Sequence, residues 1–277
     1  MIDPRRLYLG HYALRDTPLE ARFAAAAAAG FDGISVSWAE ASASPAATSR
    51  IRETLRAEAL VASQLEIVRL PSPAGSPDFS HEARHAASVA AELDCPVVVA
   101  VSLDPAMCFE DVVGGVSTLA EECALTGRRC AVEFIPFLSA IADMAQAVRL
   151  LRAVDNPAAC LVIDSLHFFR AGAQWPALSG LRAADIGAIQ ICDAPMQPAS
   201  QDYREEAMSL RALPGHGELD LCRFLAALEG TGVDIPLTVE VLSRDLASQD
   251  PTRAATQMAA ATRALLHRHQ HPERSTS

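Results

Sequence analysis

Three carboxylates stand inside apolar runs: Glu133 in "AVEFIPF" (131–137), Asp164 in "CLVIDSLHFF" (160–169) and Glu240 in "LTVEVLS" (237–243). An amide, Gln190, holds the equivalent place in "GAIQICDA". An isolated buried carboxylate costs several kcal/mol unless it is paired, hydrogen-bonded or bound to a metal. All four side chains offer hard oxygen donors, the kind that suits one divalent cation such as Mn²⁺ or Mg²⁺. Such an ion at their focus would offset the repulsion among three negative charges. Any one of these residues alone is often a helix cap or an arginine partner. Four at matching places in successive segments form a set.

The chemistry of such a set is specific. A hydroxy-ketone chelated by the cation is polarised, the metal acting as Lewis acid on the developing enolate. A neighbouring carboxylate, Glu133 or Glu240, can then remove the α-proton. Return of the proton to the other face or to the next carbon gives epimerisation or isomerisation. Departure of a β-hydroxyl gives dehydration. The leading expectation is a metal-dependent isomerase or epimerase acting on a keto-sugar through an enediolate. The alternative is a dehydratase acting on a 3-dehydroshikimate- or inosose-like molecule.

The elements that must position these groups alternate along the chain. Short Val- and Ile-rich runs read as parallel strands buried on both faces: 7–10, 33–37, 64–69, 97–102, 130–135, 161–164, 188–192 and 237–242. Helical stretches lie between them, at 18–29, 48–61, 81–93, 108–126, 140–153 and 221–230. The sixth interval permits only short helices around Pro176, and a last helix over 251–267 closes the pattern. Eight β-then-α units imply a closed (β/α)₈ TIM barrel over 1–266, with 267–277 as a disordered tail. An open doubly wound sheet usually carries a glycine-rich phosphate turn after its first strand, and "LGHYALRD" is not one. In a barrel, residues at the C-terminal strand ends share one mouth, so Glu133, Asp164, Gln190 and Glu240 can converge there.

Bulk properties narrow the partners. The chain has 277 residues, half of them hydrophobic, and a net charge of −11. That charge argues against a nucleic-acid surface, which needs clustered Lys and Arg, and so against a DNA-repair barrel. The longest apolar run, "RFAAAAAAGF", is too short to span a bilayer. The amino terminus lacks a signal-type apolar core, and the seven scattered cysteines form no CxxC pair. They read as reduced residues of a cytoplasmic protein.

The segments "VEFIPF", "VIDSLHFFRAG", "IQICDAP", "LRALPGHGELDL" and "LTVEVLS" resemble the xylose isomerase-like barrel family of sugar isomerases, epimerases and dehydratases, over nearly the whole chain. The resemblance implies Glu, Asp, His and Glu as metal ligands on strands 5 to 8, matching Glu133, Asp164, Gln190 and Glu240. Gln in place of the commoner His occurs in some relatives, including dehydratases of the 3-dehydroshikimate type. The D-x-x-H pattern implies that His167 faces the substrate as donor or proton carrier.

Arg211, in the same long loop as Pro214–Gly217, can grip an anionic or carbonyl oxygen through its fork of donors. His216 within "PGHG" is a further substrate-binding candidate, as are Glu66 on strand 3 and His11 after strand 1. Asp193 is expected to orient a neighbour or cap the strand end. His81 and His85 are spaced for one helix face and lack a glutamate between them of the HExxH kind. The expected ligand is a small carbohydrate-like molecule. The oligomeric state is open, a homodimer being a form in which such barrels often occur.

Overall fold

The computed structural model describes residue 3, residues 6–71 and residues 77–271. Eight parallel strands close in sequential order: β1 (Leu7–Leu9), β2 (Gly33–Ser37), β3 (Val61–Arg69), β4 (Val97–Val101), β5 (Arg129–Glu133), β6 (Ala159–Asp164), β7 (Ile186–Ile191) and β8 (Leu237–Val239). The ring is completed by β8 on β1, with Leu7 opposite Leu237 and Leu9 opposite Val239. This is the closed barrel expected from the alternation.

Helices cover the outside: α1 (Leu19–Ala28), α2 (Trp38–Ala41), α3 (Pro45–Ala57), α4 (Pro77–Glu92), α5 (Phe109–Leu125) and α6 (Met144–Val154) in the first part of the chain. They are followed by α7 (Ser165–Arg170), α8 (Trp175–Ser179), α9 (Tyr203–Ser209), α10 (Leu221–Gly230), α11 (Arg244–Ala247) and α12 (Pro251–Gln270). Their starts are chemically marked. Ser44, Asp143 and Asp250 each accept a backbone N–H at the head of a helix, and Pro45 and Pro251 occupy first-turn positions where a missing donor costs nothing.

Three boundaries differ from expectation for physical reasons. The helix expected over 48–61 ends at Ala57, because Ala59 adopts φ 54° and Leu60 N–H bonds back to Leu55 O at 2.9 Å. That closure is normally made by glycine, so an alanine gives no stop signal. The helix expected from 140 begins only at Met144, where Asp143 caps it. The last helix continues to Gln270, and His269 reaches Glu229 at 3.1 Å. Residues 267–270, expected in the tail, are therefore helical, and 272–277 lie outside the described residues.

Strand periodicity sorts the side chains into two sets. Val98, Cys130, Val132, Leu161, Ile163 and Ile189 join the large cluster that includes the helices. Their neighbours Val97, Val99, Ala131, Cys160, Val162 and Ala188 form a separate small cluster inside the ring. Glu133, Asp164 and Gln190 lie two residues beyond Ala131, Val162 and Ala188, so they form the next layer up on the same inward face.

Candidate metal centre and active site

The register delivers the polar layer to one place. Glu133 and Asp164 are the last residues of β5 and β6, and Asp164 pairs with Gln190 across the ladder. Glu240, expected within the eighth strand, is the first residue beyond it. Its N–H still donates to Ile191 O at 3.0 Å, which extends the ladder by one step. Gly10 makes room for it: a Cβ there would stand 3.1 Å from Glu240 Cγ. Exposures are 5% for Glu133, 0% for Asp164, 1% for Gln190 and 5% for Glu240.

The hydrogen bonds bind these groups into one network. Asp164 Oδ1 accepts His167 N–H at 3.0 Å and so caps α7, while Oδ2 accepts Arg211 Nη1 at 2.7 Å. The same Nη1 lies 3.2 Å from Glu240 Oε2. His167 sits in α7. Its Nε2 is 3.2 Å from Glu133 Oε1 and its Nδ1 is 2.5 Å from the Tyr203 hydroxyl. Donor atoms of Glu133, Asp164 and His167 all lie within 4.8 Å of one another. Gln190 Nε2 faces Glu66 Oε2 at 3.2 Å and Glu240 Oε1 at 3.4 Å, which leaves Gln190 Oε1 buried without a partner.

The charges do not balance within the protein. Glu66, Glu133, Asp164 and Glu240 are buried carboxylates, and Arg211 is the guanidinium among them. Burial pushes the Glu240 carboxyl well above its ordinary range, and Glu66, Glu133 and Asp164 add to the rise against Arg211. Burial likewise raises Glu133, opposed by His167. For Asp164, burial is outweighed by Arg211 and His167, and the carboxyl is held below its usual value. An orphaned amide oxygen beside surplus negative charge is a donor set that fits one hard divalent cation. Glu133, Asp164 and His167 already bring donor atoms close enough to share an ion, and Gln190 and Glu240 are the neighbouring side chains that would complete its shell.

Above this layer a cavity of about 600 Å³ opens at the barrel mouth. Glu133, His167, Arg211, Glu240 and Glu66 reach its surface. The opposite wall carries Ser37, Trp38, Ile67, Arg69 and Leu103, and Tyr12 and Arg204 also contribute. Arg69 and Arg204 are exposed and have no carboxylate partner among the described residues.

Two expected substrate contacts are placed elsewhere. His11 is absent from the cavity lining: the turn after β1 directs its Nδ1 to Ser35 Oγ at 3.0 Å and Glu66 Oε1 at 3.1 Å. His216 is exposed and also outside the lining. Its turn is drawn toward Asp193, which accepts Gly215 N–H at 2.9 Å and Leu219 N–H at 3.1 Å. A Cβ on Gly217 would lie 2.3 Å from Asp193 Oδ1, so the glycine serves that internal approach rather than a substrate. Asp193 is thus the clamp of this loop. His81 and His85 are exposed on α4, with the His85 ring edge-on to Trp38.

Sequence reasoning missed Tyr203, Arg69, Arg204 and the pair Arg170–Glu206. Arg170 donates to both oxygens of buried Glu206, at 2.9 and 2.7 Å, and to Pro195 O at 2.7 Å. This fixes α9, and with it Tyr203, over the site. The partners are 36 residues apart, a separation no local pattern signals.

Comparison with known proteins agrees with this architecture. The xylose isomerase-like TIM barrel family model matches residues 23–265. A 3-dehydroshikimate dehydratase of Pseudomonas aeruginosa is 31% identical over 163 residues, 58% of this chain, and the match spans 25% of that protein's length. A solved xylose isomerase-like TIM barrel/4-hydroxyphenylpyruvate dioxygenase fusion protein superposes with TM-score 0.82 at 20% identity, covering 96% of this chain and 44% of that one. The structure of the IOLI protein with a binding zinc atom superposes with TM-score 0.82 at 17% identity, covering 95% and 99%. Among the described residues no helix is long and apolar enough to cross a membrane. The chain belongs to the xylose isomerase-like TIM barrel family, whose members are enzymes of the isomerase, epimerase and dehydratase kinds.

Proposed function

We propose that this barrel is a divalent-metal-dependent lyase that removes water from a carboxylated cyclic hydroxy-ketone of the 3-dehydroshikimate kind. The observation that carries the reading is the convergence of Glu133, Asp164, Gln190 and Glu240, with the unpartnered Gln190 oxygen among them, beneath a cavity bearing two guanidinium groups free of carboxylates. A Mn²⁺ or Mg²⁺ ion in that set would supply Lewis-acid polarisation of the substrate carbonyl. The similarity to a dehydratase supports elimination as the outcome, where the residues alone put isomerisation first.

The chain's own groups have distinct tasks in this reading. Arg69 and Arg204 bind the substrate carboxylate at the mouth. Asp164, kept ionised by Arg211, serves as ligand only. Glu240 takes the α-proton as general base. His167, entering the step as imidazolium, gives its Nε2 proton to the leaving hydroxyl and ends as neutral imidazole, so that one water departs while a carbon–carbon double bond forms. Exchange with solvent returns the proton from Glu240 to His167. Tyr203, whose hydroxyl burial keeps protonated, holds the other ring nitrogen.

Incubation of the Mn²⁺-loaded protein with 3-dehydroshikimate in D₂O tests this. Loss of one water leaves an aromatic dihydroxybenzoate, read as a new ultraviolet band. Deuterium entering a keto-sugar without that band would move the assignment to an isomerase or epimerase. No exchange with any hydroxy-ketone would overturn the enolate chemistry.

A further inference from the structure

Glu66 lies on β3, across the barrel from Gln190 on β7, and it is almost fully buried. It accepts from three neighbours: His11 Nδ1 at 3.1 Å on Oε1, and Gln64 Nε2 at 3.0 Å and Gln190 Nε2 at 3.2 Å on Oε2. A carboxylate is an acceptor only, so each of these side chains must present a donor to it. For Gln190 that condition decides which end of the amide faces the ligand cluster. With the NH₂ group turned to Glu66 and Glu240, the carbonyl oxygen is left free and buried. With the amide reversed, its oxygen would oppose two carboxylates and its NH₂ group would point where a cation belongs.

We infer that Glu66 is a positioning residue rather than a ligand, one that fixes the Gln190 amide so that its oxygen serves the cation. The inference rests on the metal-dependent reading above and gives the substrate-facing role expected of Glu66 to a different task. Outer contacts of this kind orient ligands and typically change metal affinity by about 10–100-fold. His11 and Ser35 complete the support from behind, with Ser35 Oγ accepting His11 N–H at 2.7 Å. The unusual amide at the third ligand position and the buried glutamate on the far strand thereby form one unit.

Direct titration of the full chain with Mn²⁺, followed by calorimetry and by loss of the free-ion electron paramagnetic resonance signal, tests this without reference to activity. Glu66→Gln removes the charge and can present its own NH₂ to Gln190. Glu66→Asp keeps the charge but withdraws the carboxylate by one methylene. A positioning role predicts weaker binding in both, by about 10–100-fold. Glu66→Asp binding Mn²⁺ within twofold of the wild type would overturn the inference, because charge alone would then explain any loss in Glu66→Gln. Should Glu66→Gln not fold, Glu66→Asp decides the matter alone. A wild-type chain that binds no Mn²⁺ overturns the functional reading together with this one, whereas wild-type binding with an unaffected Glu66→Asp overturns this one only.

Discussion

The Arg170–Glu206 pair invites a quantitative test. Glu206 is fully buried and the Arg170 side chain is 7% exposed, so Glu206→Gln removes one charge from a pair with almost no water to replace it. Breaking a buried pair by removing one partner costs about 3–5 kcal/mol. The amide keeps one acceptor for the guanidinium, so the lower end applies, about 3 kcal/mol. At about 2–4 °C per kcal/mol for a large domain, Tm should fall by about 6–12 °C at neutral pH.

The pH dependence of this difference has a definite sign. Burial tends to raise the Glu206 carboxyl, but Arg170, the Ala199 N–H and Arg211 more than offset it, so its pKa lies below the ordinary 4.5. A depressed carboxyl contributes stability that is fully present above the unfolded value and is lost as pH falls through the folded one. Melting curves followed by circular dichroism should show a full gap between wild type and Glu206→Gln near pH 7, narrowing below about pH 4. Equal Tm values at pH 7, or a gap that stays constant into acid, would refute the reasoning.

Two further outcomes concern the site. A cation that binds only the folded chain stabilises it by about 2.7 kcal/mol at a hundred times its Kd, so chelation should lower Tm by about 5–11 °C; differential scanning fluorimetry with and without EDTA reads this, and no change speaks against a bound ion. Arg69→Met should raise KM for a carboxylated substrate about tenfold or more while kcat changes little, since a hydrogen bond to a charged group contributes about 1.5–3 kcal/mol. Steady-state kinetics separates the two constants, and an unchanged KM would place the carboxylate elsewhere.

The strands were legible because β-branched runs buried on both faces leave few other readings, and Glu133, Asp164 and Gln190 could be placed at the mouth because they stand at the C-terminal ends of those runs. Glu240, expected inside a strand over 237–242, lies one residue past β8, and its N–H carries the ladder on by one bond. His216 misled because a glycine-rich turn can face either way, and only the carboxylate of Asp193 decides the side. Glu66 and His11 read as polar residues near the mouth, but the pair they form spans 55 positions of sequence, and Glu66 also holds Gln190 from the far side of the ring. Tyr203 and Glu206 sit in "DYREEAMSL", which reads as a solvated helix until the guanidinium of Arg170 and the imidazole of His167 arrive from another unit.

The two arcs of the ring carry unequal burdens. Side chains of β5 to β8 supply the acidic cluster, while Ser37, Trp38, Arg69 and Leu103 on the opposite wall have, Glu66 apart, no share in it. Under the proposed reading, replacements at Ser37, Trp38, Arg69 or Leu103 therefore reshape the cavity wall without touching the carboxylates of the other arc.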